Sequence, residues 1–210
     1  QPHIVTLGGC RIHRHRQRPR LNVDDYLHSI IPEPVTILGQ DLRPFSLGHY
    51  LLLQRLECAF VCDDEEPLLG DLLLGLLVCG NTFEGAQELL RRAELGDDIK
   101  AWAENVGEFE ADEKAVLFTD YINAALAMPK FWTKGQGGGT KAGAPWPQAM
   151  RVKLISEGGF TASAVMNQPL GQTWWDYLTL NELKGSVKIS DDSTEELLRR
   201  HREAQQEVAT

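Results

Sequence analysis

The sequence lacks the features that would assign it to several large classes of protein. No apolar run approaches the ~18–20 residues that a membrane-spanning helix requires. Only 4 cysteines occur among 210 residues, which is too few for a disulfide scaffold. Residues 1–30 contain no continuous apolar stretch of the kind found in a secretory signal. We therefore expect a protein made in the cytosol, with no membrane partner.

Basic residues are scarce outside the N-terminus. The chain has 21 basic and 30 acidic side chains, with a formal net charge of -9, which argues against a nucleic-acid partner. Residues 1–20 nevertheless hold five arginines and no acid, at Arg11, Arg14, Arg16, Arg18 and Arg20. This basic arm is either a solvated terminal segment or a contact for a neighbouring subunit's acidic surface or for phosphate.

The glycine-rich segment 135–141 resembles a phosphate-binding loop only superficially. Such a loop requires Gly-Lys-Ser/Thr between a strand and a helix. Here Gly139 is followed by Thr140 and then Lys141, and no helix is expected to begin there. The segment is therefore interpreted as a plain loop.

Cysteine and histidine do not form a recognisable metal set. Cys58 and Cys62 would share one face of a continuing helix, and further ligands would have to come from His49, Cys79, His13 and His15. A structural zinc site usually combines two closely spaced ligand pairs, and only one is present, so these cysteines are predicted to be core residues. His49 has no nucleophile motif beside it and is interpreted as an exposed residue or a local cap. We predict no catalytic residue, no metal and no cofactor.

Helix signals dominate from Pro44 onward. Ser46 is a predicted N-cap for a leucine-rich helix that ends near Glu57, and the apolar segment 68–79 is predicted to be a central buried helix. Further helices are predicted over about 82–95, 97–107, 110–128, 147–157, 161–167, 169–185 and 193–208. The sequence therefore predicts a mainly α fold, an irregular multi-helix bundle with a small N-terminal extended or two-stranded segment.

Composition divides the chain into four parts. Residues 1–43 are predicted to be the basic arm and an extended segment, in which 35–38 form a strand that 4–12 could pair with. Residues 44–129 are a predicted helical core, 130–147 a Gly/Pro-rich loop in which helix and strand are disfavoured, and 148–210 a C-terminal helical part. Trp132 and Trp146 flank the loop and are predicted to anchor it by aromatic packing.

The adjacent residues Trp174 and Trp175 predict a surface for another protein. Neighbouring side chains on a helix diverge by about 100°, so one indole must lie near the surface or contact another element or chain. Tryptophan is enriched at binding hot spots, although packing against the final helix is an alternative. The predicted partner-binding residues are Trp174, Trp175, Tyr177, Leu52, Arg14, Arg16 and Arg18.

Three segments in a fixed order carry a family resemblance. They are 42–49 (LRPFSLGH), the apolar stretch 72–79 followed by 81–84 (NTFE), and 166–171 (MNQPLG) leading into 174–177 (WWDY). Across residues 36–185 this pattern resembles the helical tail-assembly-chaperone-like proteins encoded in the tail-morphogenesis regions of tailed phages and prophages. The resemblance implies a protein that coats the hydrophobic tape-measure protein until tail-tube subunits displace it.

The resemblance predicts a non-enzymatic phage tail morphogenesis protein that binds another virion protein through helical hydrophobic surfaces. It would act in the host cytoplasm during assembly, and a homo-oligomer is an open possibility. One alternative is a permanent virion component, such as a connector or tail subunit. Another is an enzyme of unknown type with His49 or the Cys58/Cys62 pair at its site.

Overall fold

A computed structural model describes residues 23–62, 66–129, 131–133 and 143–189. Its helices are α1 (Val23–Ile30), α2 (Leu47–Arg55), α3 (Leu69–Cys79), α4 (Phe83–Leu89), α5 (Leu95–Ala103), α6 (Glu108–Ala125), α7 (Trp146–Ser156), α8 (Ala162–Asn167) and α9 (Leu170–Leu183). Its strands are β1 (Val35–Ile37), β2 (Gln40–Leu42), β3 (Phe131–Thr133) and β4 (Val187–Ile189). The predicted mainly α fold is confirmed. None of the described helices combines the length and apolarity needed to cross a bilayer.

Helix α3 is the centre of the core, as its apolar sequence predicts. It packs against α2, α4, α5, α6 and β2, and leucines on several of its faces are fully buried. Phe118 of α6 lies against Gly75 of α3, where a Cβ atom would come within 2.6 Å of the phenyl ring. The absence of a side chain at Gly75 therefore sets how closely α3 and α6 approach.

The N-terminal strands form a tight hairpin. β1 pairs antiparallel with β2, with Ile37 opposite Gln40, and the two-residue turn between them places Leu38 at φ 49° and Gly39 at φ 74°. Positive φ at both turn positions is the geometry of a type I′ hairpin. The partner strand of 35–37 is therefore 40–42, and the proposed pairing with 4–12 falls on residues outside the described part.

Local capping signals identify several helix starts correctly. The hydroxyl oxygen of Ser46 accepts a hydrogen bond from the N–H of His49 at 3.2 Å, and Thr82 and Thr161 cap α4 and α8 in the same way. At the start of α3, a carboxylate oxygen of Asp71 accepts from the N–H of Leu68 at 2.9 Å. Side-chain oxygens satisfy the otherwise unpaired first N–H groups of a helix.

Other predicted boundaries were wrong. Residues 23–30 form a helix within the segment predicted to be extended, and β3 lies within the segment in which strand was disfavoured. Helix α4 ends at Leu89 rather than at Leu95, and α5 ends at Ala103 rather than near Gly107. The second ribbon pairs β3 with β4, a long-range contact that a local pattern does not reveal. The predicted helix 193–208 lies outside the described residues.

Candidate binding site

The two adjacent tryptophans of α9 contact different parts of the molecule. The ring of Trp175 packs edge-on against Tyr26 of α1, with 5.0 Å between ring centroids. Trp174 stacks on Trp146 at the start of α7, with 5.1 Å between centroids. The predicted divergence of the two indoles is confirmed, since each meets a different element. Their contact with another protein stays a prediction.

Trp174 belongs to a row of aromatic rings. The ring centroid of Tyr50 in α2 lies 5.0 Å from that of Trp146, and the ring centroid of Tyr177 lies 6.2 Å from that of Trp174. The indole N–H of Trp174 is buried and has no hydrogen-bond partner among the described residues. Packing of Trp146 confirms the predicted aromatic anchor at one end of the glycine-rich loop, and the side chain of Trp132 at the other end lies outside the described part.

Helix α1 approaches α9 at a glycine. A Cβ atom on Gly171 would lie 2.8 Å from the Cβ and 3.2 Å from the Cα of Ser29. Gly171 and Trp175 are four residues apart and so lie on one face of α9, and α1 packs against this face. Because Gly171 has no side chain, the backbones of α1 and α9 come close together at this point.

Residues 42–49, 81–84 and 166–171 are joined by hydrogen bonds at one place, which we call the junction. The carbonyl of Phe45 accepts from the N–H of Leu170 at 2.7 Å, and Ser46 and Pro169 form an isolated antiparallel bridge. The side-chain oxygen of Asn167 accepts from the N–H of Phe83 at 2.8 Å. Hydrogen bonds therefore join segments that are far apart in the sequence.

An exposed carboxylate extends this junction to its surface. Glu84 in the first turn of α4 accepts from the hydroxyl of Ser163 at 2.7 Å and from the amide of Asn167 at 2.9 Å. The Ser163 hydroxyl, and then the Asn167 amide, hold the pKa of the Glu84 carboxyl below its usual range. The carboxylate therefore joins α4 to α8 in its ionised form.

His49 is a buried structural residue at the centre of the junction. Its Nδ1 faces the N–H of Ser46 at 3.3 Å, and an N–H can only donate, so Nδ1 accepts and the ring hydrogen is on Nε2. That Nε2–H donates to the carbonyl of Asn81 at 2.8 Å. Burial, opposed by the Asn81 hydrogen bond, lowers the pKa of His49 from 6.5 to about 4. The capping role is confirmed, and the expectation of an exposed position is wrong, because the residue is 2% exposed.

We expect His49→Gln to remove part of the acid sensitivity of the fold. The folded-state pKa lies below the unfolded value, so His49 costs no stability above pH ~6.5 and progressively lowers it as the pH falls towards 4. By linkage the full loss is about 3 kcal/mol. Glutamine retains a donor for the Asn81 carbonyl but does not titrate.

Urea unfolding at several pH values between 7 and 4 measures this effect. We expect the variant to be about 1–3 kcal/mol less stable at pH 7, because the Ser46 N–H loses its acceptor. The stability difference between the two proteins should then shrink as the pH falls. A difference that stays constant from pH 7 to 4 would contradict a neutral, buried His49.

The thiols of Cys58 and Cys79 belong to the core. Cys58 is buried, and burial raises the pKa of its thiol to about 12. Burial also raises the pKa of Cys79 and of Tyr121, whose hydroxyl donates to the carbonyl of Arg43 at 2.6 Å. Cys62 is half-buried. Helix α2 ends at Arg55, but the N–H of Cys62 donates to the carbonyl of Cys58 at 3.2 Å, so the two cysteines are joined by a single turn outside the helix. The described residues contain no group of three His, Cys, Asp or Glu side chains that could hold a metal ion.

The remaining predicted partner-binding residues have different outcomes. Leu52 lies in the core at 5% exposure, so its prediction as a surface contact was wrong, because the face of α2 that carries it is covered by neighbouring elements. Tyr177 is half-buried, and the ammonium of Lys153 lies 5.9 Å from its ring centroid. Arg14, Arg16 and Arg18 lie outside the described residues.

Comparison with known proteins gives no independent assignment. No family model matches the chain, no curated protein sequence matches it, and no solved structure matches it.

Proposed function

We propose that the chain is a non-enzymatic protein of phage or prophage tail morphogenesis that binds an amphipathic helix of another virion protein, of the tape-measure type. The observation that carries the proposal is the junction. The segments on which the family resemblance rests, 42–49, 81–84 and 166–171, are joined there by hydrogen bonds. The hydrogen bonds that join them involve backbone, capping and amide groups, which supports a structural role for these segments.

The chemistry of the junction supports a structural role. Both ring nitrogens of His49 are occupied by backbone groups, so neither is available to a substrate in this arrangement. The thiol of Cys58 has a pKa of about 12, and the thiolate rather than the thiol is the nucleophile. The hydrogen bonds of His49 and the raised pKa of Cys58 disfavour the alternative, an enzyme with His49 or the Cys58/Cys62 pair at its site. Metal analysis of the purified protein tests that alternative directly.

The described surface supports binding to a helix. Large apolar side chains that are more than a third exposed occur on several helices, including Tyr26, Leu27, Val116, Leu117, Trp146, Val152 and Leu183. Helix-in-groove recognition uses such side chains at helical spacing. The net charge of -9 keeps the body of the protein hydrophilic around them.

Co-expression with the tape-measure protein from the same gene neighbourhood tests the proposal. We expect the tape-measure protein to remain soluble and to co-purify with this chain, and to aggregate when the chain is omitted. An unrelated aggregation-prone helical protein serves as the matched control and should gain no solubility. Failure to co-purify, together with unchanged solubility on omission, would contradict the proposal.

Mass spectrometry of purified particles separates a chaperone from the alternative of a permanent virion component. A chaperone is displaced during assembly, so we expect the chain in infected or induced cells but not in finished particles. A stoichiometric amount in particles would instead identify a connector or tail subunit.

A further inference from the structure

We draw no further inference here: the strongest candidate, the row of aromatic rings that α2, α7 and α9 form around Trp146 and Trp174, is a packing contact within this chain, and nothing in the structure shows what would cover the exposed part of Trp146.

Discussion

Phe118→Ala should destabilise the protein more than any other single truncation on α6. The phenyl ring is fully buried and packs against Phe60 and Tyr121 with centroids 5.0 and 5.6 Å away. Truncating a buried phenylalanine to alanine typically costs about 3–5 kcal/mol, because a cavity remains where the ring was. Chemical denaturation measures the loss of stability. The control is the neighbouring variant Leu117→Ala, which truncates a side chain that is 42% exposed and should cost less than about 1 kcal/mol.

A second substitution at Gly75 extends this test. In the wild-type background Gly75→Ala should destabilise the fold, because the added Cβ would lie 2.6 Å from the Phe118 ring. In the Phe118→Ala background the same methyl group enters the vacated space and should restore part of the loss. The double-mutant cycle should therefore show a coupling of about 0.5–3 kcal/mol. Additive effects of the two substitutions would contradict the packing of α3 on α6 at this point.

Gly48→Ala should lower the free energy of unfolding substantially, although it adds only one methyl group. Its Cβ would lie 2.6 Å from the carbonyl oxygen of Met166 and 2.7 Å from the ring of Phe83. The first of these is backbone and is held in place by the junction, so α2 and α8 must separate. Overpacking of this kind typically costs about 1–3 kcal/mol, despite the better helix propensity of alanine.

Gly70→Ala is the matched control for this prediction. Gly70 occupies the second residue of α3, as Gly48 does in α2, and a Cβ there would meet nothing within 4 Å. The control should be neutral or stabilised by up to about 1 kcal/mol, so the difference between the two variants isolates crowding at the junction. Equal melting temperatures for the two variants would contradict the close approach of α2 to α8.

Elements with strong local signals could be predicted from the sequence. The near-continuous apolar run of α3 and the hydroxyl caps at Ser46, Thr82 and Thr161 depend on neighbouring residues alone, and all are found. The predicted end of α6 was three residues late for a local reason. A proline ring clashes with the carbonyl four residues earlier, so Pro129 ends the helix at Ala125 rather than at Met128.

Helix α1 had a signal that the interpretation did not use. Val23, Tyr26, Leu27, Ile30 and Ile31 recur at helical spacing, although the arginine-rich arm before them and the prolines after them favour an extended segment. The contact of Tyr26 with Trp175 could not be predicted, because it depends on tertiary packing between remote elements. The same is true of the β3–β4 ribbon and of the Leu52 side chain, whose burial is decided by the elements packed over α2.

The long sequence separation across the junction has a consequence for synthesis. The N–H of Phe83 donates to the side chain of Asn167, 84 positions later. The carbonyl of Phe45 likewise accepts its hydrogen bond from the N–H of the distant residue Leu170. A ribosome releases the chain from its N-terminus, so α2 to α4 emerge well before the groups that complete them. During that interval the sides of α2 and α4 that pack against α8 stay uncovered, so the nascent chain exposes part of its interior until α8 has left the ribosome.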